Sequence, residues 1–250
     1  MFKPSTDKIE KLAKFFPQRI KEVEELFSGS TIIYIDYANV FYWSEKLKWK
    51  IDIKRLKQFL DSFDNVKHVR LYNGTLKGNS NSIQFIKEAK KLKYTVSTKP
   101  VKIMHLSIDV SSVALNSPSI LVNFIDKVLL RNFDLKTIEY LNNVLKDLNS
   151  KGIKFIEHRK CNFDVEIGRD MFLDFGKNDI ENFILWSGDS DFADPVSQLL
   201  KDKRKVVVFT TARRVSVELS ETKVPIFDIQ KIRNFICRNN QIQEEIKKKL

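Results

Sequence analysis

The sequence predicts an α/β fold built on a mostly parallel, doubly wound sheet. Strand-like apolar runs alternate with helix-period segments along nearly the whole chain. That order gives a parallel sheet with helices on both faces. In addition, two runs far apart, Thr31–Asp36 and Phe183–Asp189, stay apolar until they stop at a carboxylate. Strands buried on both faces read this way before the chain turns into a helix.

The elements follow in order. Residues 5 to 27 place Leu12, Phe15, Phe16, Ile20, Val23, Leu26 and Phe27 near helical spacing, which predicts one amphipathic helix packed on the core. Ser28-Gly29-Ser30 ends it, and the first strand runs to Asp36. A second strand is expected at Val66 to Tyr72, closed by Asn73-Gly74. The polar loop Gly78 to Ser82 can cap a helix carrying Ile83, Ile86, Ala89 and Leu92 on one face. Tyr94 to Thr98 alternates as a third strand. Ile120 to Leu130 reads as helical. Asp134 can cap a further helix that turns Leu135, Ile138, Leu141, Leu145 and Leu148 inward and stops near Gly152. Ile153 to Glu157 reads as another strand, and a helix with Met171, Phe172 and Phe175 starts near Asp164. Beyond Asp189 come a short helix at Pro195 to Lys201, a buried strand at Val206 to Thr210, a helix around Val215 to Leu219 and a strand at Pro225 to Asp228. Asp194 before Pro195 is the expected N-cap of that short helix. The tail from Ile229 is expected to be helical, ending on Lys247-Lys248-Lys249. No linker rich in Pro, Gly or Ser interrupts the chain. The expected organisation is one core domain over residues 30–230 with an insertion at about 105–150, a helical extension at 1–29 and a basic C-terminal helix at 231–250.

The composition is that of a globular chain, 42% hydrophobic and 30% charged. A formal net charge of +12 and a pI near 9.5 favour anionic partners. Part of that charge follows from a chain rich in Lys, Ile, Asn and Phe. The two cysteines, Cys161 and Cys237, and the three histidines, His68, His105 and His158, have no zinc-site spacing and fit a reducing compartment. The N-terminus shows no signal-peptide apolar region, so a cytoplasmic location is expected. Asn123, Asp126 and Lys127 break the most apolar stretch, so no membrane span is expected.

In open α/β sheets, ligands bind outside the carboxyl ends of the strands. The two strand-end acids therefore propose one acidic pocket in a basic protein. Asp36 is followed three residues on by Asn39, although Asp36 could equally serve as a helix N-cap. Asp189 and Asp191 flank Ser190 after the Ser187-Gly188 turn. A third element, Lys160 to Asp170, contains Asp164, Glu166 and Asp170. Six residues rotate a helix by about 600°, so Asp164 and Asp170 do not share a face. Carboxylates within about 4–6 Å repel one another unless a cation joins them. Hard ions such as Mg²⁺ or Mn²⁺ suit such oxygen ligands and phosphoester chemistry. The Walker-type lysine loop, the Rossmann glycine pattern and a serine nucleophile elbow are all absent. Basic side chains near predicted strand ends form the candidate substrate rim: Lys77, Lys99, Arg159, Lys160, Arg213 and Arg214. Tyr37, Tyr72 and Trp43 are candidates for stacking on unpaired bases.

Taken together, the strand ending at Asp36 with Asn39, the Lys160–Met171 segment and the Ser187-Gly188-Asp189-Ser190-Asp191-Phe192 run resemble the NYN domain, a branch of the PIN-like ribonuclease superfamily. The resemblance spans about residues 31 to 228. It implies a PIN-like, Rossmannoid three-layer fold with a helical N-terminal extension and a helical insertion. It also implies a metal site of Asp36, Asp164, Asp189 and Asp191, with Asn39 orienting a water or phosphate and Ser187 beside the metal. Mg²⁺ or Mn²⁺ and an RNA substrate, cleaved endonucleolytically to a 5′-phosphate and a 3′-hydroxyl, follow from the same likeness. The alternative is a catalytically inactive RNA-binding or assembly module of that family, with the insertion or the N-terminal helix meeting a second copy or another protein. A phosphatase of the haloacid-dehalogenase type is disfavoured, because Ala38 stands where its second aspartate belongs.

Overall fold

The structure is a computed structural model that describes residues 1–177, 179–211, 215–248 and 250. The chain divides into two compact units, Met1–Pro100 with Cys161–Leu250, and Val101–Lys160.

The first unit is built on a six-stranded sheet of β1 (Thr31–Asp36), β2 (Val66–Tyr72), β3 (Thr95–Ser97), β6 (Asn182–Trp186), β7 (Lys205–Thr210) and β8 (Ile226–Asp228). The strand order is β3-β2-β1-β6-β7-β8 and every pairing is parallel. β1 and β6 are buried along their whole length, as the unbroken apolar runs predict. Alternate residues feed two cores. Ile33 and Ile35 join one cluster, and Ile32 and Tyr34 join the other across the sheet. The first core is covered by α1 (Asp7–Phe15), α2 (Pro17–Leu26), α3 (Tyr37–Leu47), α4 (Ile53–Leu60) and α5 (Ser80–Lys91). The strand order reverses between β1 and β6. From there the chain winds outward in both directions, which opens a crevice at the carboxyl ends of these two strands.

The second unit holds the two-stranded antiparallel ribbon β4 (Lys102–Ser107) and β5 (Phe155–Lys160), with α6 (Lys127–Arg131) and α7 (Leu135–Ser150). Its own small core gathers Ile108, Val110, Leu121, Leu130, Ile138 and Leu145.

The remaining helices of the first unit are α8 (Asp164–Phe175), α9 (Ala193–Lys201), α10 (Val217–Glu221), α11 (Arg233–Ile236) and α12 (Glu244–Lys247). α8, α9 and α10 cover the second face of the sheet.

Several sequence expectations are corrected. The N-terminal helix is two helices, because Pro17 cannot continue the first and instead opens the second. The strand expected at Ile153–Glu157 is β5, displaced to 155–160 and outside the main sheet. Glu157, His158, Arg159 and Lys160 give it a fully exposed strand that no interior parallel position accepts. Ile120–Leu130 is broken by Asp126, whose carboxylate accepts from the Val128 amide at 2.7 Å and starts α6. The C-terminal tail is a series of short turns, not one basic helix, and α11 buries Asn234, Phe235 and Ile236. Among the described residues no helix is long and apolar enough to cross a membrane.

Candidate active site

β1 and β6 are in register with Ile35 opposite Trp186. The next residues, Asp36 and Ser187, therefore meet at the crevice where the strand order reverses. Ser187 Oγ donates to Asp36 Oδ2 at 3.3 Å. The other oxygen, Oδ1, accepts from the Asn39 amide at 3.3 Å, so Asp36 also caps α3. One carboxylate thus caps a helix and lies at the crevice.

Ser187 ties this strand end to the next acid, accepting from the Asp189 amide at 3.3 Å. Asp189 in turn accepts at Oδ1 from the Asp191 amide at 3.3 Å and caps the short turn Ser190–Phe192. Asp164 is the first residue of α8, and Asn162 Nδ2 donates to its Oδ2 at 2.7 Å. Four aspartates thus belong to one electrostatic group. Burial, with Asp164 and Asp189 as neighbours, pushes the Asp36 carboxyl up to about 6, against the opposing hydrogen bonds from Asn39 and Ser187. Burial also raises Asp164, and Asp189 and Asp191 add to it. Asp36 is buried, Asp164 and Asp189 are half-buried, and Asp191 is exposed.

In kind, this donor set fits a hard divalent cation: every donor is a carboxylate oxygen. Among the described residues, no three His, Cys, Asp or Glu side chains are gathered tightly enough to hold an ion as they stand. Asp164, Asp189 and Asp191 have the exposure to turn; Asp36 is fixed by its two hydrogen bonds.

The other expected residues fall in different places. Asn39 spends its Oδ1 on the Trp43 indole at 2.9 Å, which leaves Nδ2 for a phosphate or water. Asp170 is turned away from the site. It accepts from Tyr72 at 2.8 Å and from Arg169 at 2.7 Å, as the helix rotation requires. Glu166 pairs with Lys99, whose ammonium lies 4.7 Å from the Phe163 ring centroid. Lys77 is exposed in the turn before α5. Lys160 and Arg159 belong to the second unit, where Lys160 lies opposite Lys102 and Arg159 pairs with Glu157 at 3.1 Å. Arg213 and Arg214 lie outside the described residues. Two of the stacking candidates are core residues: Tyr72 and Trp43 are buried. Tyr37 is partly buried, with its ring 4.5 Å from Phe85. Asp194 is the second residue of α9 and not its cap, because the Ser190–Phe192 turn runs straight into that helix.

Sequence reasoning missed Asn162 as a partner of Asp164; its place two residues upstream was the available signal. It also missed Asp174, which is buried and accepts two hydrogen bonds from Arg70, each at 2.9 Å.

Residues 127–224 match the family model of the NYN domain. The match includes Asp164, Asp189 and Asp191, while Asp36 lies upstream of it. The low amplitude and bright protein LabA of Synechococcus elongatus is 25% identical over 208 residues, covering 82% of this chain and 86% of that protein. A crystal structure of a Vibrio parahaemolyticus protein of unknown function shares the fold, with a TM-score of 0.50 and 16% identity over 83% of this chain and 95% of the other. Over residues 127–224, the stretch that carries Asp164, Asp189 and Asp191, the chain is similar to the NYN domain.

Proposed function

We propose that the protein is a metal-dependent ribonuclease that hydrolyses RNA phosphodiesters endonucleolytically. The observation that carries this reading is the gathering of Asp36, Asp164, Asp189 and Asp191 near the point where the strand order reverses, within a chain of net charge +12. The match of residues 127–224 to the NYN domain supports a nuclease-type activity.

In this reading Asp36, Asp164, Asp189 and Asp191 hold Mg²⁺ or Mn²⁺. A bound ion of this kind polarises the phosphoryl oxygen and lowers the pKa of water at the site. The chain's own groups do the positioning. Ser187 and the Asn39 amide fix the two oxygens of Asp36, and Asn162 fixes Asp164. Asn39 Nδ2 orients a phosphate oxygen or the attacking water. Ser187 Oγ, hydrogen-bonded to both acid segments, keeps the ends of β1 and β6 in step. Lys99 offsets part of the local negative charge through Glu166, and Lys77 and the basic surface supply phosphate contacts.

A panel of RNA and DNA substrates, incubated with and without Mn²⁺, tests the reading. Wild type is expected to cleave RNA only with the metal, and Asp189→Asn to lose at least about a hundredfold in rate while keeping its circular dichroism spectrum. Full activity in purified Asp189→Asn would remove the proposal.

A second reading, an idle RNA-binding module, is favoured by the open arrangement of the acids. It predicts binding with steep salt dependence and no turnover. Cleavage abolished by EDTA and restored by Mn²⁺ excludes it.

A further inference from the structure

Helix α3 begins one residue after Asp36, and its aromatic side chains are not all in the core. Phe41 is 55% exposed and Tyr42 is 58% exposed. Their rings meet edge to face with centroids 5.8 Å apart. Tyr37 and Phe41 stand one turn apart on the helix, 6.5 Å between centroids. Tyr37 and Phe41 line a cavity of about 60 Å³ together with Trp49, Lys50 and Arg238.

Cations gather here. Lys50 and Arg238 line the cavity, Lys46 and Lys48 stand on the same stretch of chain, and all four are exposed. None of them is in an ion pair among the described residues; the opposing charges nearest in sequence are the exposed Glu45 on the same helix and Asp52, two residues beyond Lys50. Lys50 and Arg238 are held together by backbone, since the Arg238 amide donates to the Lys50 carbonyl at 3.2 Å. The Lys50 amide is fixed in turn by Gln241 Oε1 at 2.9 Å. The phenol of Tyr37 is pushed up to about 12 by burial, with Arg238 opposing the shift and the nearby Asp52 and Glu88 adding to it.

An exposed ring beside cations anchored at their backbone matches the two contacts that one nucleotide of an unpaired strand offers: a base face and a phosphate. A paired base has no face to give, so the arrangement selects single-stranded over duplex substrate. We propose that the α3 stripe is a nucleotide subsite for single-stranded RNA, with a base on Phe41 against Tyr37 and its phosphate on Lys50 and Arg238. The RNA identity of the strand rests on the ribonuclease reading; the subsite itself rests on the rings and cations.

The test measures binding in a full-length Asp189→Asn background, so that cleavage does not consume the probe. A fluorescein-labelled 12-nucleotide single-stranded RNA is titrated by anisotropy. Phe41→Ala, a change at an exposed position that leaves the core intact, is expected to weaken binding about tenfold. Lys50→Ala with Arg238→Ala is expected to reduce the slope of log affinity against log salt by about 0.7, the share of one phosphate. The same sequence as a duplex is expected to bind at least about tenfold more weakly, and 5′-AMP to compete only at far higher concentration than the strand. Affinity of Phe41→Ala within twofold of its parent overturns the subsite, and so does a duplex bound as tightly as the single strand. Competition by 5′-AMP at strand-like concentration overturns the assignment to a strand. RNA binding that depends on Phe41 in a wild-type protein that cleaves nothing keeps the subsite and removes the nuclease. Cleavage with an unchanged KM in Phe41→Ala keeps the nuclease and removes the subsite.

Discussion

Helix α8 carries acids of two kinds. Asp164, at its first residue, belongs with Asp36, Asp189 and Asp191, and its charged neighbours are other acids. Asp170 and Asp174, further along, sit among Arg70, Arg169, Lys177, Tyr34 and Tyr72. Burial acts on both groups in the same sense. It pushes Asp36 up to about 6, where nearby carboxylates reinforce it. It also pushes on Asp174, but hydrogen bonds from Arg70, Lys177 and Tyr34 outweigh it and hold that carboxyl below the ordinary range. The difference lies in the partners. The fold pairs the acids that face the side of the sheet and leaves unpaired those at the ends of the strands, where perturbed acids mark functional sites.

The largest expected effect breaks the paired side. Arg70→Met leaves Asp174 buried with only Tyr34 and Lys177, and should lower stability in urea by about 3 kcal/mol. A loss under about 1 kcal/mol would show that the network is not what holds α8 to β2. On the unpaired side the sign reverses. The folded Asp36 pKa is raised, so between the ordinary carboxylate value and about 6 the native state binds the extra proton, and stability falls as pH rises through that window. Above about 6 the charged carboxylate is a constant penalty, at most about 3 kcal/mol for a shift of roughly two units. Asp36→Asn keeps a capping side chain and removes that penalty. It should therefore stabilise the protein at pH 7.5 by about 1–2 kcal/mol, lose the gain near pH 4, and abolish cleavage. Equal stability of the two proteins at pH 7.5 would contradict the unpaired character of Asp36. Asp174 has the opposite linkage: its stabilisation is complete at neutral pH and is lost as pH falls through its depressed pKa.

These two groups were unequally legible in the sequence. The strands were readable because β1, β6 and β7 are buried on both faces, and an unbroken apolar run that short fits a buried parallel strand better than a helix. The acids at their ends were readable for the same reason: a carboxylate that stops such a run has to face the crevice. Partnership was not readable. Arg70 and Asp174 are 104 residues apart and meet only because β2 lies beside β1 and α8 covers that face. Helix phase was equally hidden. With Tyr37, Phe41, Tyr42 and Trp43 nearly all round α3, the sequence could not say that Trp43 is buried while Phe41 and Tyr42 are exposed. β4 was missed because none of its residues is buried and its partner arrives 53 positions after Lys102 begins the strand, at Phe155.

Two smaller changes sharpen the contrast. Asn162→Ala removes the amide that fixes Asp164 from an exposed position. It should cost about tenfold in cleavage and leave the urea midpoint where it was, since no buried group loses a partner. Tyr72→Phe makes the converse test. It deletes the 2.8 Å bond to Asp170 Oδ2 without opening a cavity. Asp170 keeps Arg169 on its other oxygen, and Arg70 lies 3.9 Å from the vacated one. The loss should be about 1 kcal/mol of stability, read from the urea midpoint at unchanged m-value, with the rate of RNA cleavage unaltered. A rate that fell with Tyr72→Phe while stability held would mean that Asp170 helps to position Asp164 through the shared helix. The two groups of acids would then be one coupled system, and the separation of roles along α8 would fail.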